Sequence, residues 1–418
     1  MRLAYFRTAI VRTPSQIKRL AAFGFVILAF SVPTLALGDI QQVTGDDFRT
    51  LVKQGDKCVH RGEFIEAEKV YKRASEISPT NSAVRLKLAM VHLKQRHLSE
   101  AYDLSFAIAK AEPTNSNAFA VLGATLLSAG KFREARTIFI NALKLKARAD
   151  AIAAINGLDW GERIVAVRVN GLGTSWGCRD ILDVVEACPR LDYILLPKCE
   201  SPGDVHAVEV MIRSAEAAAS RERKAGIMGL IETPRGVANV EAIAQAGGGL
   251  HALVFGGGDY QLDLGSFQRA VGAPSADYVV LTDDDGRNAR QRHWNDLWHF
   301  ATARIANACR AFGLLPIDGP FSGIPDVEGL RAAAKRAAVL GFDGKMAIHP
   351  SQIEIIHEVF TPAADQIAWA NEVIEAMAAA EREGRGAVKD KNGEMIDLMH
   401  IKVAKKLLDR AASIGGKA

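Results

Sequence analysis

Two acids stand at the ends of short apolar runs. Glu232 closes Ile227-Met228-Gly229-Leu230-Ile231-Glu232, and Asp259 follows Leu250 to Phe255 and the run Gly256-Gly257-Gly258. In a parallel sheet, a strand that ends this way delivers its polar group to the C-terminal rim, where the chemistry of α/β enzymes is done. Two carboxylates there suit Mg²⁺, which takes few protein oxygens and keeps positions for water and substrate. Arg168, at the end of Ile164–Val169, adds a planar fork for a carboxylate or enolate oxygen. A cation and a guanidinium together stabilise negative charge developing on a carbonyl oxygen. The alternative is that Arg168 pairs with Glu232 and only closes the rim.

The elements that must carry these groups are short apolar runs separated by helical stretches. The runs are Ile164–Val169, Tyr193–Leu196, Ile227–Ile231, Ala252–Phe255, Leu314–Ile317 and Met346–Ile348. Amphipathic segments such as Val205–Ala218 and Gly329–Ala338 lie between them. This alternation predicts six parallel β/α units, with near-continuous apolar strands covered by helices on their faces. A closed barrel of this kind has eight strands.

A different pattern occupies the first third. Gly55, Ala89 and Gly123 are spaced by 34 residues, as are Ala67, Ala101 and Ala135, and Tyr71, Ser105 and Phe139. Pro79 and Pro113 close the first two units. The period and its small-residue lattice resemble three tetratricopeptide repeats over about residues 48–149, a number sufficient to bury a shared core. The resemblance implies a groove for a protein or peptide partner, with a helical spacer or oligomerisation arm as the other use.

Charge and cysteine narrow the classes. Residues 1–38 hold Arg2, Arg7, Arg12, Lys18 and Arg19 and no acid, so the remaining 47 basic and 48 acidic residues nearly balance. No basic face for nucleic acid is expected. The positives precede an apolar run from Leu20, and Ala36-Leu37-Gly38 resembles a cleavage site, which predicts a signal peptide or a membrane anchor over 1–38. The five cysteines are scattered without CxxC spacing, so buried reduced thiols are expected rather than a disulfide or zinc framework. Gly247-Gly248-Gly249 and Gly256-Gly257-Gly258 lack the spacing of a nucleotide loop. His251, His293, His299 and His349 are not at ligand spacing, and Trp294 and Trp298 are expected to pack.

From about Asp159 onward the chain is similar to the citrate lyase β-subunit-like family of the HpcH/HpaI aldolase group. Within it, the malyl-CoA lyase and (3S)-malyl-CoA thioesterase branches are most similar. The resemblance rests on Asp159-Trp160-Gly161, Val167-Arg168-Val169-Asn170-Gly171, Leu196-Pro197-Lys198, Leu230-Ile231-Glu232-Thr233 and Phe255-Gly256-Gly257-Gly258-Asp259-Tyr260. It continues through Val280-Leu281-Thr282-Asp283, Pro316-Ile317-Asp318-Gly319-Pro320, Ala347-Ile348-His349-Pro350-Ser351-Gln352 and Met395-Ile396-Asp397. It implies Mg²⁺ held by Glu232 and Asp259, catalytic roles for Arg168 and Asp397, and substrate binding by Arg168, Gly258, Asp259, Ala347 and Ile348. The implied reaction is Mg²⁺-dependent Claisen-type cleavage of a malyl-CoA-like hydroxyacyl-CoA thioester, or hydrolysis of that thioester. A helical C-terminal lid over 361–418, placed on a neighbouring subunit of a homotrimer or hexamer, is also implied.

The family's opening strands, resembling Leu-Phe-Val-Pro-Gly and Leu-Asp-Leu-Glu-Asp-Ala, have no counterpart here. The expected fold is therefore an α/β TIM-type barrel over 150–360 lacking its first two βα units, preceded by the all-α repeat array and the N-terminal hydrophobic segment. CoA chemistry belongs to the cytoplasm, whereas the leader points outward. The competing reading is an exported or anchored tetratricopeptide scaffold of the secretion or pilus-assembly type, carrying a degenerate, inactive barrel.

Overall fold

The computed structural model describes residues 45–266, 270–275, 277–282, 290–389 and 393–415. The expected leader over 1–38 and Asp283 lie outside the described residues. No described helix is long and apolar enough to cross a membrane. The described residues fall in two compact units, 45–153 and 154–415.

The first unit is built of helices Gly45–His60, Phe64–Ile77, Ser82–Lys94, Leu98–Ala111, Ser116–Ser128 and the start of Phe132–Gly157. Asn81 and Asn115 start the second and third pairs, each side chain accepting the N–H of the residue three further on, at 3.1 Å. The 34-residue lattice has a steric cause. A Cβ on Gly55 would lie 2.4 Å from the Tyr71 ring, and one on Gly123 would lie 2.9 Å from the Phe139 ring. The middle repeat solves the same packing with two small residues, Ala89 and Ser105, both fully buried. Ser105 satisfies its hydroxyl on the Ala101 carbonyl at 2.6 Å, so its departure from the apolar pattern leaves no orphan polar group.

The second unit is organised around a half-barrel parallel sheet. Its strands are β1 (Ala166–Arg168), β2 (Tyr193–Leu196), β3 (Gly226–Ile231), β4 (Leu250–Phe255), β7 (Leu315–Asp318) and β8 (Gly344–Lys345). They are ordered β1-β2-β3-β4-β7-β8, every pairing parallel. Between β4 and β7 the chain makes an antiparallel hairpin of β5 (Val279–Leu281) and β6 (Arg292–Trp294). Among the described residues the sheet is open, with β1 and β8 at its edges.

Strand periodicity places one side chain in two on each face. Ala166, Leu195, Met228, Leu230, Ala252, Val254 and Ile317 form one buried cluster on the inner face. The opposite face carries Ile194, Leu196, Ile227, Ile231, Leu253 and Phe255, all buried. Helices Pro202–Ala218 and His299–Ala311 lie against this sheet. The first is started by a capping box between Ser201 and Asp204 with Pro202 in its first turn.

Three local expectations are corrected. The last strand of the sheet is Gly344–Lys345, not Met346–Ile348, which lies in the turn after it. The apolar run is the more strand-like sequence, but a buried ion pair of Lys345 holds the register two residues earlier. Of the two tryptophans expected to pack, Trp298 is buried and Trp294 is not. Trp298 is 1% exposed, whereas Trp294 ends β6 half exposed, with the Arg336 guanidinium 5.6 Å from its ring. Cys178 is exposed, while the other four cysteines are buried, and all five are unbridged.

The C-terminal part packs helices Ala364–Arg382 and Leu398–Gly415 around Val373, Met377, Ile396 and Ala404. Between them runs a short antiparallel pair, β9 (Val388–Lys389) and β10 (Met395–Ile396). Arg410 ties the last helix to its own unit, donating to the carbonyls of Phe360 at 2.8 Å and Asp343 at 2.9 Å.

Candidate active site

The inner face of the sheet continues upward into the site. Two residues beyond Leu230 on that face is Glu232, two beyond Ala166 is Arg168, and two beyond Val254 is Gly256. The acid is therefore carried at the top of a fully buried strand and is itself only 6% exposed. Asp259 stands exposed in the first turn of the short helix Gly257–Asp263 that follows β4. A carboxylate is favoured there by the helix dipole.

The next strand over supplies the acid's fixed partner. The Lys198 N–H, just past β2, donates to Glu232 Oε1 at 3.0 Å. Lys198 adopts φ of 50° to do so, a left-handed conformation that costs a lysine energy and collects at functional sites. Its Nζ lies 3.9 Å from Asp263 Oδ2. In the sequence, Leu196-Pro197-Lys198 carries the family resemblance but assigns Lys198 no task. Nothing in a lysine codon's neighbourhood announces a positive φ.

Electrostatics place these groups together. Burial, then the Asp259 charge, pushes the Glu232 carboxyl up to about 7, while the Lys198 N–H and the charges of Arg168 and Lys198 pull it down. Among the described residues no ion pair joins Arg168 to Glu232, so the closed-rim alternative is not what this structure shows. Spacing explains why. Arg168 lies two strands from Glu232, about 10 Å along the sheet at roughly 4.8 Å per strand, with the end of β2 between them. Cys199, beside Lys198, is held as a neutral thiol by burial, which pushes it up to about 12, so it is not a poised nucleophile.

Gly256 has a steric task. A Cβ there would lie 2.3 Å from the Glu232 Cβ and 3.3 Å from its Cα. Gly256→Ala is expected to displace Glu232 against Asp259 and to lower kcat/KM at least about 100-fold, the usual cost of an ångström-scale misplacement. The folded state should survive with a modestly lower Tm. Steady-state kinetics beside a thermal melt checks this, and near-normal kcat/KM would show that the site tolerates the shift.

The remaining expected site residues are placed less closely. Gly258 adjoins Asp259, and an added Cβ would only touch Val271 at 3.5 Å. Ala347 and Ile348 occupy the turn after β8, where Ile348 N–H donates to Gln352 Oε1 at 2.9 Å. Asp397 follows β10, with Oδ1 2.9 Å from His400 Nδ1 and accepting the Met399 N–H at 2.9 Å. The hydrogen bond from His400 holds its carboxyl below the usual range. It is not among the groups that act on Glu232.

A parallel β/α half-barrel with polar groups gathered at the C-terminal ends of its strands defines a class, the β/α barrel enzymes whose chemistry is done at that rim. The match to a family model is specific within that class. Residues 141–350 match the HpcH/HpaI aldolase/citrate lyase model, and the chain belongs to this family. Residues 59–124 match a tetratricopeptide repeat model. The L-malyl-CoA/beta-methylmalyl-CoA lyase of Cereibacter sphaeroides is 41% identical over 272 residues, 65% of this chain and 83% of that protein. The (3S)-malyl-CoA thioesterase of Cereibacter sphaeroides is 34% identical over 272 residues, 65% of this chain and 82% of that one. A citrate lyase from Burkholderia xenovorans shares the fold, with a TM-score of 0.53 and 23% identity over 65% of this chain and 81% of its own.

Proposed function

We propose that the chain is an acyl-CoA carbon–carbon lyase, cleaving a malyl-CoA-like hydroxyacyl-CoA in a divalent-cation-dependent, Claisen-type reaction. The observation that carries it is the rim itself: buried Glu232, on which the charges of Asp259 and Arg168 both act, with Arg168 two strands away. Identity to malyl-CoA lyases over 83% of their length supports the substrate class. Hydrolysis of the thioester, as the thioesterase relative's name describes for that protein, is the same site's second outcome.

The donor set fits Mg²⁺. Two carboxylates supply hard oxygen ligands, and burial, then the Asp259 charge, raise the Glu232 carboxyl, a cost that a bound cation relieves. Glu232 and Asp259 would hold the ion, which when bound supplies Lewis-acid polarisation of substrate oxygens. Lys198 fixes the Glu232 oxygen through its N–H. Arg168 stabilises the negative charge that develops on the thioester oxygen as the carbon–carbon bond breaks. Gly258, Ala347 and Ile348 present backbone to the substrate. Asp397, brought from a neighbouring subunit of a trimer or hexamer and ionised at rest, takes the substrate's hydroxyl proton as the carbon–carbon bond breaks and returns it to the enolate carbon.

The test is direct. Purified full-length protein with malyl-CoA and Mg²⁺ should release glyoxylate and acetyl-CoA, or free CoA if hydrolysis dominates, and EDTA should stop it. Folded, Mg²⁺-supplied protein that releases none of these would remove the enzyme reading. One observation favours the second reading, an exported or anchored repeat scaffold with an inactive barrel. The described sheet has open edges at β1 and β8, consistent with a barrel lacking its first two βα units. Unpaired edges expose N–H and C=O groups. In that reading the chain shows no turnover and holds a peptide partner through residues 48–149.

A further inference from the structure

Away from the barrel rim, three ligand-type side chains converge in the repeat unit. Glu68 is on helix Phe64–Ile77, His92 near the end of helix Ser82–Lys94, and His97 at the N-cap of helix Leu98–Ala111. One ligand atom from each lies within 4.8 Å of the other two. A tight turn brings the histidines together. The His97 N–H donates to the His92 carbonyl at 2.8 Å, and Arg96 between them takes φ of 65°. Their ring centroids are 5.8 Å apart.

The arrangement is more than a surface cluster. His92 is 5% exposed, and its Nδ1 is buried with no hydrogen-bond partner. That nitrogen faces Glu68 Oε1 at 4.0 Å, too far for a hydrogen bond. A buried polar atom without a partner calls for an explanation. Two donors about 2.1 Å from one tetrahedral ion lie roughly 3.4 Å apart, so this pair is within a fraction of an ångström of sharing a ligand. His97 is exposed, so its side-chain torsions can close what remains. Glu68 otherwise accepts from Lys72 Nζ at 2.6 Å, and Lys72 is half exposed.

We propose that Glu68, His92 and His97 bind a divalent transition-metal ion of the zinc class, tying the first repeat to the second. Two imidazoles and one carboxylate suit zinc rather than Mg²⁺ or Ca²⁺, which take oxygen ligands. Three protein ligands leave a fourth position for water or a partner's side chain. Repeat arrays are held by the interfaces between neighbouring repeats, so an ion bridging two of them stiffens the array where a partner would dock. Lys72 competes with the ion for Glu68.

The experiment is a ZnCl2 titration of the full-length protein in buffer with excess Mg²⁺, followed by calorimetry and thermal melts. Wild type is expected to bind one equivalent that raises the melting temperature. His97→Ala, at an exposed position, should keep its far-UV circular dichroism and lose that equivalent or bind it at least about 100-fold more weakly. Lys72→Met should bind it more tightly. X-ray absorption of the zinc-loaded wild type should show two imidazoles. Equal zinc affinity and stoichiometry in wild type and His97→Ala, or a zinc spectrum without imidazole scattering, overturns the proposal.

Discussion

Glu232→Gln is expected to abolish cation-dependent turnover while making the metal-free protein more stable at about pH 8. The two effects have one cause. Glu232 is buried and faces the Asp259 charge, so its carboxyl is raised from 4.5 to about 7. An acid whose folded pKa is raised stabilises the fold fully below its unfolded value, and that contribution is lost as pH rises through the folded value. Above pH 7 the ionised carboxylate therefore costs the apo-protein about 3 kcal/mol, at about 1.36 kcal/mol per unit. Gln keeps the acceptor for the Lys198 N–H and removes the charge. Urea unfolding in EDTA should show the variant more stable at about pH 8, with the difference shrinking towards pH 5. Mg²⁺ should stabilise the wild type and not the variant, and kcat/KM should fall by more than about 100-fold, since even partners of ligands cost 10–100-fold. Because a carboxylate must be deprotonated to bind metal, apparent Mg²⁺ affinity should rise with pH up to about 7 and then level. A variant that is less stable than wild type in EDTA at pH 8 would mean the carboxylate is held for structure, not poised for a cation.

Much of this site was legible in the sequence because strand periodicity is simple. A polar residue that closes an apolar run stands above the run's own face, and Glu232 and Arg168 emerged this way, whereas Asp259 sits in the helix turn after its strand. The repeat lattice was legible for a related reason: Gly55 and Gly123 must be small because Tyr71 and Phe139 fill the space against them. What escaped depends on backbone geometry or long-range contact. The left-handed turn at Lys198 and the proximity of Gly256 to the Glu232 Cβ leave no mark on local composition. His92 and His97 are five apart across a turn, off any helical ligand spacing, and their third member lies a helix away. The open edges at β1 and β8 pose the question the sequence also posed, whether the rim is held firmly enough to work.

That question turns on the edge strand β8, and the largest stability effect is expected there. Lys345→Ala should destabilise the fold by about 3–5 kcal/mol, the cost of leaving one half of a buried ion pair alone. The Lys345 side chain is 1% exposed and that of Asp318 6%, with Nζ 2.6 Å from Oδ2. Nζ also donates to the Gly319 carbonyl at 2.7 Å, which places the ammonium at the junction of β7 with the rim. Gly319 in turn packs so closely on β4 that a Cβ would lie 2.6 Å from the Phe255 carbonyl, directly before the Gly-rich turn that carries Asp259. Lys345 thus holds the last edge of the sheet to the loop that carries Asp259. It also lines a small pocket there with Trp298, Asp318 and Gly319. A pair retained only for charge balance is replaceable: Lys345→Met with Asp318→Leu removes both charges and should recover most of the lost stability. Activity should not recover with it, because no apolar pair donates to the Gly319 carbonyl. Urea unfolding of the single and double variants, with kcat/KM measured on each that folds, separates the two roles. Full activity in the stable double variant would show that β8 is held by burial alone and that the rim does not depend on the ammonium.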